Sequence, residues 1–438
     1  MSASGVDPRR VEQADVYKAG RLAAHLVRQE GGTEFAYRPE YLDIGPAVAT
    51  TLPLREEPVR APAGAVPPFF AGLLPEGRRL SALRRHVKTS ADDDLSLLLA
   101  VGADPVGDVQ VVPAGATPEV PKQPLLLDSD WSDVDFAEVL EGAGIDPVAL
   151  AGVQEKASGR MLTVPLVYAG RAHLLKLDPP DYPGVVVDED HLLKVARRLR
   201  QRVVQAQVVH DRAGRPGLLV ERFDREPEGS GLRALPVEDG AQLLGRYPAD
   251  KYAVTTEELL AGIGRVSAAR AVAVRAVLQQ VAFAWLTGNG DLHAKNVSVL
   301  GVGRVARSNP MAAVEPPTAI DWSAHAPSDA AGSGPNATVA GSEWRVAPIY
   351  DIPSTVPYGD KGLALSIAGR TDSLSRKRFL NLAAQSGVPV AAAERVLSES
   401  LRATADVADG IVEAMALDAG RARTLRRVLG RRWSDLSG

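Results

Sequence analysis

The run Gly288-Asn289-Gly290-Asp291-Leu292-His293-Ala294-Lys295-Asn296 puts a carboxylate, an imidazole, an ammonium and an amide on one tight turn, between a long apolar stretch and the short apolar segment VSVL. Loops held between rigid elements are where reacting groups are usually displayed. Asp291 has the chemistry to orient and deprotonate a hydroxyl, and Lys295 to neutralise transferring phosphate charge. Asn296, five positions after Asp291, can ligate Mg²⁺ through its amide oxygen. The spacing is that of the D-x-x-x-x-N loop of phosphoryl transfer. The alternative is a capped turn in which Asp and Asn serve local backbone groups. His293, with few histidines near it, reads as scaffold rather than as part of a metal cluster.

A second carboxylate, Asp351, follows Pro348-Ile349-Tyr350 and precedes Ile352-Pro353. Paired with Asn296 it makes a candidate Mg²⁺ site, since Mg²⁺ takes hard oxygen ligands and bridges phosphates. Lys176 is a lone lysine among Leu174, Leu175 and Leu177. Burial there needs a partner, either an ATP phosphate or Glu189 in the next helix; snorkelling from an edge strand is the other reading. The turn Gly152-Val153-Gln154-Glu155-Lys156 can present backbone N–H groups to phosphate, although it is neither a Walker A nor a G-x-G-x-x-G sequence. Glu221-Arg222-Phe223-Asp224 reads either as a hinge between lobes, with backbone reading adenine and Asp224 facing ribose, or as an ordinary charged strand end.

The elements that must position these groups follow from periodicity. Residues 16–115 read as a small mixed module with strands around Gly20, Phe35 and Tyr37 alternating on one face, and a strand at Val109–Val112. The apolar FFAGLLPEG leads into a basic helix, and Asp92–Asp94 start a buried helix. Residues 113–145 read as an inter-lobe connection. Beyond Leu150 come hairpin strands turning at Ala169–Gly170, a helix over DEDHLLKVARRLRQRV, and a strand in GLLVERFDRE. The second half is helical: EELLAGIGRV, the long ARAVAVRAVLQQVAFAWLTGNGD, and three amphipathic helices after Ser375. Residues 301–343, rich in Ala, Gly, Ser and Pro, read as a surface insertion. These elements predict an α+β, two-lobed protein with a β-rich N-terminal module at 1–115, an N-lobe at 116–224 and a mainly helical C-lobe at 225–438.

The chain has 438 residues, 45% of them hydrophobic and 24% charged, which is enough to build a core and argues against global disorder. Its 50 basic against 54 acidic residues disfavour a nucleic-acid-coating protein. With no cysteine, disulfides, thiolate nucleophiles and thiolate zinc sites are excluded. The N-terminus carries no signal-peptide h-region and no apolar run spans a bilayer, so a cytoplasmic location and no membrane partner are expected. The basic side of TLRRVLGRRWSDL reads as a solvated face.

Taken together, FFAGLLPEGRRLSALRR, DDLSLLLAVGADPVGDVQV, LAGVQEK, HLLKL, DEDHLLKVA, LVERFDR, LTGNGDLHAKNVSVL, IYDIPS and LALSIAGR resemble the HipA family of serine/threonine kinases, toxin components of bacterial type II toxin–antitoxin modules. The resemblance implies a protein-kinase-like, HipA-like core using ATP and Mg²⁺. It assigns Ala151, Gly152, Val153, Gln154, Glu155 and Lys156 to the phosphate-side loop, Lys176 to the phosphates, and Glu221, Arg222 and Phe223 to the adenine hinge with Asp224 close by. Asp291 would be the catalytic base; His293, Ala294, Lys295, Asn296 and Tyr350 would border the nucleotide, and Asn296 and Asp351 would hold Mg²⁺. Known members phosphorylate a serine of an aminoacyl-tRNA synthetase and are restrained by a helix-turn-helix antitoxin that binds operator DNA, implying a protein substrate, such an antitoxin, and DNA only through it.

Two departures stand out. Ala149 occupies the position, three before Gly152, where the family often carries a phosphorylatable serine, so modification there is chemically impossible. Asn296 and Asp351 are 55 positions apart, which a compact site tolerates if the insertion's ends return to neighbouring strands, because loop entropy rises only about 0.6 kcal/mol per doubling. A small-molecule or lipid kinase, or a degraded kinase kept as an antitoxin-binding scaffold, are the rival readings.

Overall fold

The computed structural model describes residues 7–90, 92–118, 126–127, 130–142, 161–229, 231–302 and 343–438. The N-terminal part builds an antiparallel sheet from β1 (Gln13–Lys18), β2 (Arg21–Gln29), β3 (Gly32–Tyr37), β4 (Val59–Ala61) and β5 (Val109–Pro113), in the order β4-β3-β2-β1-β5. Alternate residues such as Ala14, Val16, Leu26 and Phe35 face inward, onto α1 (Pro39–Leu42), α2 (Pro68–Gly72), α3 (Gly77–Val87) and α4 (Asp94–Val101). The acidic start of α4 caps itself, Asp93 accepting from the Ser96 N–H.

The second sheet contains β6 (Leu126–Leu127), β7 (Leu162–Tyr168), β8 (Arg171–Leu177), β9 (Ala206–His210) and β10 (Pro216–Glu221), ordered β6-β7-β8-β10-β9. Ala169 and Gly170, at φ 49° and 72°, make the two-residue turn between β7 and β8. Positive φ at both turn residues matches the right-handed twist of a hairpin and fixes its register, setting Lys176 opposite Thr163 on one side and Leu218 on the other. One face of this sheet packs on α5 (Phe136–Gly142) and Trp131. The other carries α6 (Val185–Ala196), whose Leu192, Leu193 and Val195 are buried. The stretch expected as a bare connection thus supplies a strand and a helix to the sheet. Helix α6 also begins three residues earlier than its acidic run suggests, after Gly184 at φ 86°.

A hairpin of β11 (Arg225–Glu228) and β12 (Gly231–Ala234) leads to a small sheet of β13 (Val237–Asp239), β14 (Ser298–Val302) and β15 (Glu343–Val346). Val302 pairs with Glu343, so the two ends of the compositionally biased stretch lie on neighbouring antiparallel strands, which removes the difficulty of the long separation. Residues 303–342 lie outside the described residues. The helical part comprises α7 (Gly240–Leu243), α8 (Thr256–Val266), α9 (Arg270–Thr287), α10 (Arg376–Gln385), α11 (Val390–Ala403), α12 (Val407–Ala414) and α13 (Ala419–Ser437). Four helices therefore follow Ser375, not three. The chain turns after Thr404, whose hydroxyl bonds back to the Ser400 carbonyl at 2.8 Å, and the break lets α12 pack on α6 through Ile411. Helix α9 is buried nearly all round, as its lack of a polar face requires. Among the described residues no helix is long and apolar enough to cross a membrane.

Candidate active site

Lys176 sits mid-strand on β8 and Glu189 on α6, which is wedged between the sheet and α12/α13. The Lys176 Nζ donates to Glu189 Oε1 and Oε2 at 2.8 and 2.9 Å and to Asp351 Oδ1 at 2.7 Å. The snorkelling alternative is thereby removed. Burial opposes charge on all three groups. For Lys176 the two carboxylates outweigh it and push the pKa up. For Asp351, Lys176 first and then Lys251 outweigh it and hold the carboxyl below its ordinary range. For Glu189 burial prevails over Lys176, lifting the carboxyl to about 6.

The segment carrying Asp351 is the hub that joins the distant stretches. Its main chain pairs with the N-lobe, Val204 N–H donating to the Ile349 carbonyl at 3.0 Å and Ile349 N–H to Arg202 at 2.8 Å. Ser354 N–H donates to Asp188 on α6 at 2.6 Å. Thr355 ties the same segment to the turn after α9: its N–H donates to the Gly288 carbonyl at 2.9 Å, and its Oγ1 accepts from Gly290 N–H at 2.9 Å. The Tyr350 hydroxyl donates to the Lys295 carbonyl at 2.8 Å and lies 2.6 Å from Ser298 Oγ. Asp351 itself is held at φ 54°, a left-handed conformation that persists in non-glycine residues where surroundings over-determine it.

Gly288, at φ 74°, ends α9 as a left-handed cap. Asp291 beyond it is 1% exposed; its N–H is held by Asn289 Oδ1 and its Oδ1 accepts from Tyr252 Oη at 2.7 Å. The Asn296 amide nitrogen donates to the Asp291 carbonyl at 2.9 Å, so its oxygen is the end with the chemistry to bind a cation. His293 is buried with its ring edge on Tyr252; burial, then Lys251, drives its pKa well below the ordinary value, and the neutral ring is scaffold. Lys295 donates to the Gly72 carbonyl at 2.8 Å and lies 3.4 and 3.5 Å from Glu76 and Asp239, so its charge is already matched by protein carboxylates.

A cavity of about 330 Å³ opens between these elements, lined by Leu174, Lys176, Val220, Glu221–Asp224, Lys295, Ser298, Tyr350 and Asp351. Phe223 stacks at a tilt on Tyr350, with ring centroids 5.5 Å apart. Asp291, His293, Ala294 and Asn296 lie beside the cavity rather than on its wall. Asp224 requires a correction. Its carboxylate accepts from Arg222, Arg225 and the Gly107 N–H at 2.6–3.0 Å, and both arginines also bind Asp104. These four charges clamp the N-terminal module to the hinge, so the Asp224 carboxylate, although on the cavity wall, is already engaged by protein donors rather than free for a ribose; Arg222 is spent in the same clamp. Ala151–Lys156, with Ala149, lie outside the described residues.

Sequence reasoning missed the part of the cavity wall that comes from the N-terminal module: Gly72–Glu76, Arg79, Val101 and Asp104–Val106. It also missed Lys251, which pairs with Glu76 at 2.5 Å, and Tyr252. The only local signal was the apolar FFAGLLPEG anchor, because these contacts join residues up to 223 positions apart. Among the described residues no cluster of three or more His, Asp or Glu is arranged to hold a metal. A cation at Asn296 and Asp351 would complete its shell with phosphate oxygens and water, as Mg²⁺ prefers. The oxygen chemistry of the site fits such an ion.

Comparison with known proteins agrees with this geometry. The HipA N-terminal domain model matches residues 14–112 and the HipA-like C-terminal domain model residues 148–311, together more than half of the chain. Y4dM of Sinorhizobium fredii, named as a kinase, is 28% identical over 433 residues, covering 91% of this chain and 90% of that one. The serine/threonine-protein kinase toxin HipA of Shewanella oneidensis is 27% identical over 294 residues, 60% of this chain and 65% of that protein. The chain solved in the Shewanella oneidensis HipA, HipB and operator DNA complex superposes with a TM-score of 0.69 at 20% identity, covering 97% and 96% of the two chains, which shows the shared two-lobed fold. With both domain models in order along one chain and the lysine–carboxylate site assembled between its lobes, this protein belongs to the HipA family of kinases.

Proposed function

We propose that the protein transfers the γ-phosphoryl group of Mg²⁺-bound ATP to a serine or threonine hydroxyl of another protein, and that it acts as a toxin. The observation that carries this reading is the Lys176 ammonium fixed between Glu189 and Asp351 across the cleft. A lysine so placed can contact nucleotide phosphates, and a scaffold has no need of it. Asn296 and Asp351 would hold a Mg²⁺ ion, which when bound would neutralise phosphate charge. Asp291 accepts the proton of the attacking hydroxyl, the hydroxyl oxygen bonds to phosphorus, and ADP departs. Glu221–Phe223 give the adenine a backbone edge and an apolar wall, and Lys295 and Tyr350 close the floor. Residues 1–115 form the N-terminal module, 116–224 the N-lobe and 225–438 the C-lobe in this reading.

Membership in the family supports a translation component such as an aminoacyl-tRNA synthetase as the target. The likeness to the chain in the HipA, HipB and operator DNA complex supports an antitoxin partner, a helix-turn-helix protein, with DNA reached through it. The test is phosphosite mapping after expression of the wild-type chain and of D291N. We expect a small set of protein sites that vanish with the variant, whose rate falls by about 10²–10⁴ if Asp291 is the base. Equal phosphorylation by both chains, or label only on small metabolites, would overturn the reading.

A further inference from the structure

Tyr252 lies on the turn between residues Pro248–Asp250 and the capped start of α8 at Thr255. It has no role in the chemistry described so far. Its hydroxyl donates to Asp291 Oδ1 at 2.7 Å, while the tyrosine is 40% exposed and Asp291 only 1%. The phenol therefore stands between solvent and the carboxylate. Its ring is fixed on two sides: His293 meets it edge-on with centroids 5.2 Å apart, and the Lys251 ammonium lies 5.1 Å from its centre. Lys251 is in turn anchored to Glu76 of the N-terminal module, and its carbonyl accepts from the Ala294 N–H at 3.3 Å. An exposed tyrosine tied down by this many neighbours gives up rotamer freedom, and the gain is one well-aimed hydrogen bond to a carboxylate.

We propose that Tyr252 is a positioning residue for phosphoryl transfer, its hydroxyl fixing the rotation of the Asp291 carboxylate so that the side chain meets an incoming hydroxyl in one orientation. This rests on the kinase reading in which Asp291 is the base. Small misplacements of a base cost rate because the reacting atoms must meet at about 3 Å with the correct alignment. Tyr252 is not among the residues lining the cavity, so the effect is expected on the chemical step and not on ATP binding.

Tyr252→Phe keeps the ring contacts with His293 and Lys251 and removes only the oxygen. With the full chain, single-turnover γ-phosphoryl release from Mg-ATP should slow about ten- to a hundredfold in Y252F, while the affinity for a fluorescent ATP analogue stays within about twofold of wild type. In the D291N background the same substitution should add less than about a twofold effect, because a residue acting through Asp291 has nothing left to orient. Independent, multiplying effects, or an equal loss of ATP affinity, would reveal a merely structural tyrosine and overturn the inference. Wild-type turnover by Y252F alongside an inactive D291N would sink the tyrosine's role and leave the kinase reading standing. Undiminished turnover by D291N would remove the base assignment and the inference together.

Discussion

Replacing Lys176 by methionine separates the stability of the site from its chemistry. The three side chains of the cluster, Lys176, Glu189 and Asp351, are 11%, 1% and 24% exposed, so the lysine–glutamate pair belongs to the buried regime. Surface pairs contribute about 0–1 kcal/mol, whereas removing one member of a buried pair costs about 3–5 kcal/mol because the survivor keeps its desolvation without its partner. The survivor here is Glu189, already lifted by burial to about 6 with the lysine present. Asp351, more exposed, can turn to water and contributes less. Lys176→Met should therefore lose about 3–5 kcal/mol by urea denaturation, and Lys176→Met/Glu189→Leu should regain most of it, since both charges leave together. Neither variant should transfer phosphate from ATP, because no ammonium remains at the phosphates. A single variant within about 1 kcal/mol of wild type, or a double variant no more stable than the single, would refute the reasoning.

Further expectations follow from other sites. Burial lifts Glu238 from 4.5 to about 7, against the opposing hydrogen bonds from Thr50. Between those values the folded chain holds a proton that the unfolded chain has released, so stability falls as pH rises from about 4.5 to 7, by at most about 3 kcal/mol; Glu238→Gln should flatten this slope in denaturation series at stepped pH, and an unchanged slope would exclude Glu238 as its source. A β-carbon on Gly290 would meet the Gly362 carbonyl at 2.6 Å and Thr355 Oγ1 at 2.5 Å; Gly290→Ala should thus displace the Asp291 turn and lower ATP turnover about tenfold or more. Because Val302 already pairs with Glu343, replacing residues 303–342 by an Asn-Gly turn should leave the urea midpoint within about 1 kcal/mol of wild type, and a chain that no longer folds would contradict that pairing.

The hairpin at Ala169–Gly170, the helix carrying Glu189, the long α9 and its glycine stop were all legible because each is encoded within a dozen neighbouring residues: turn residues with positive φ, apolar periodicity, a left-handed cap. So was the chemistry of Asp291, Asn296, Asp351 and Lys176, since residue type and local spacing limit what such groups can do. The break in the C-terminal helices at Thr404 was not, since it serves the packing of α12 on α6, some 200 positions earlier.

The sequence by itself determined which functional groups exist and which short elements carry them, because those depend on side-chain chemistry and on hydrogen bonds between near neighbours. Only the tertiary structure decided their partners. It showed that Lys176 is shared between Glu189 and Asp351, that the Asp224 carboxylate on the cavity wall is engaged by Arg222, Arg225 and the Gly107 N–H, and that Lys295 is met by Glu76 and Asp239. It brought Tyr252 onto Asp291. Charges separated by hundreds of residues are paired by packing: the burial of the apolar faces around them sets the distances, so Glu189 on the next helix could be named for Lys176 from the sequence, whereas Asp351 for Lys176 and Glu76 and Asp239 for Lys295 could not.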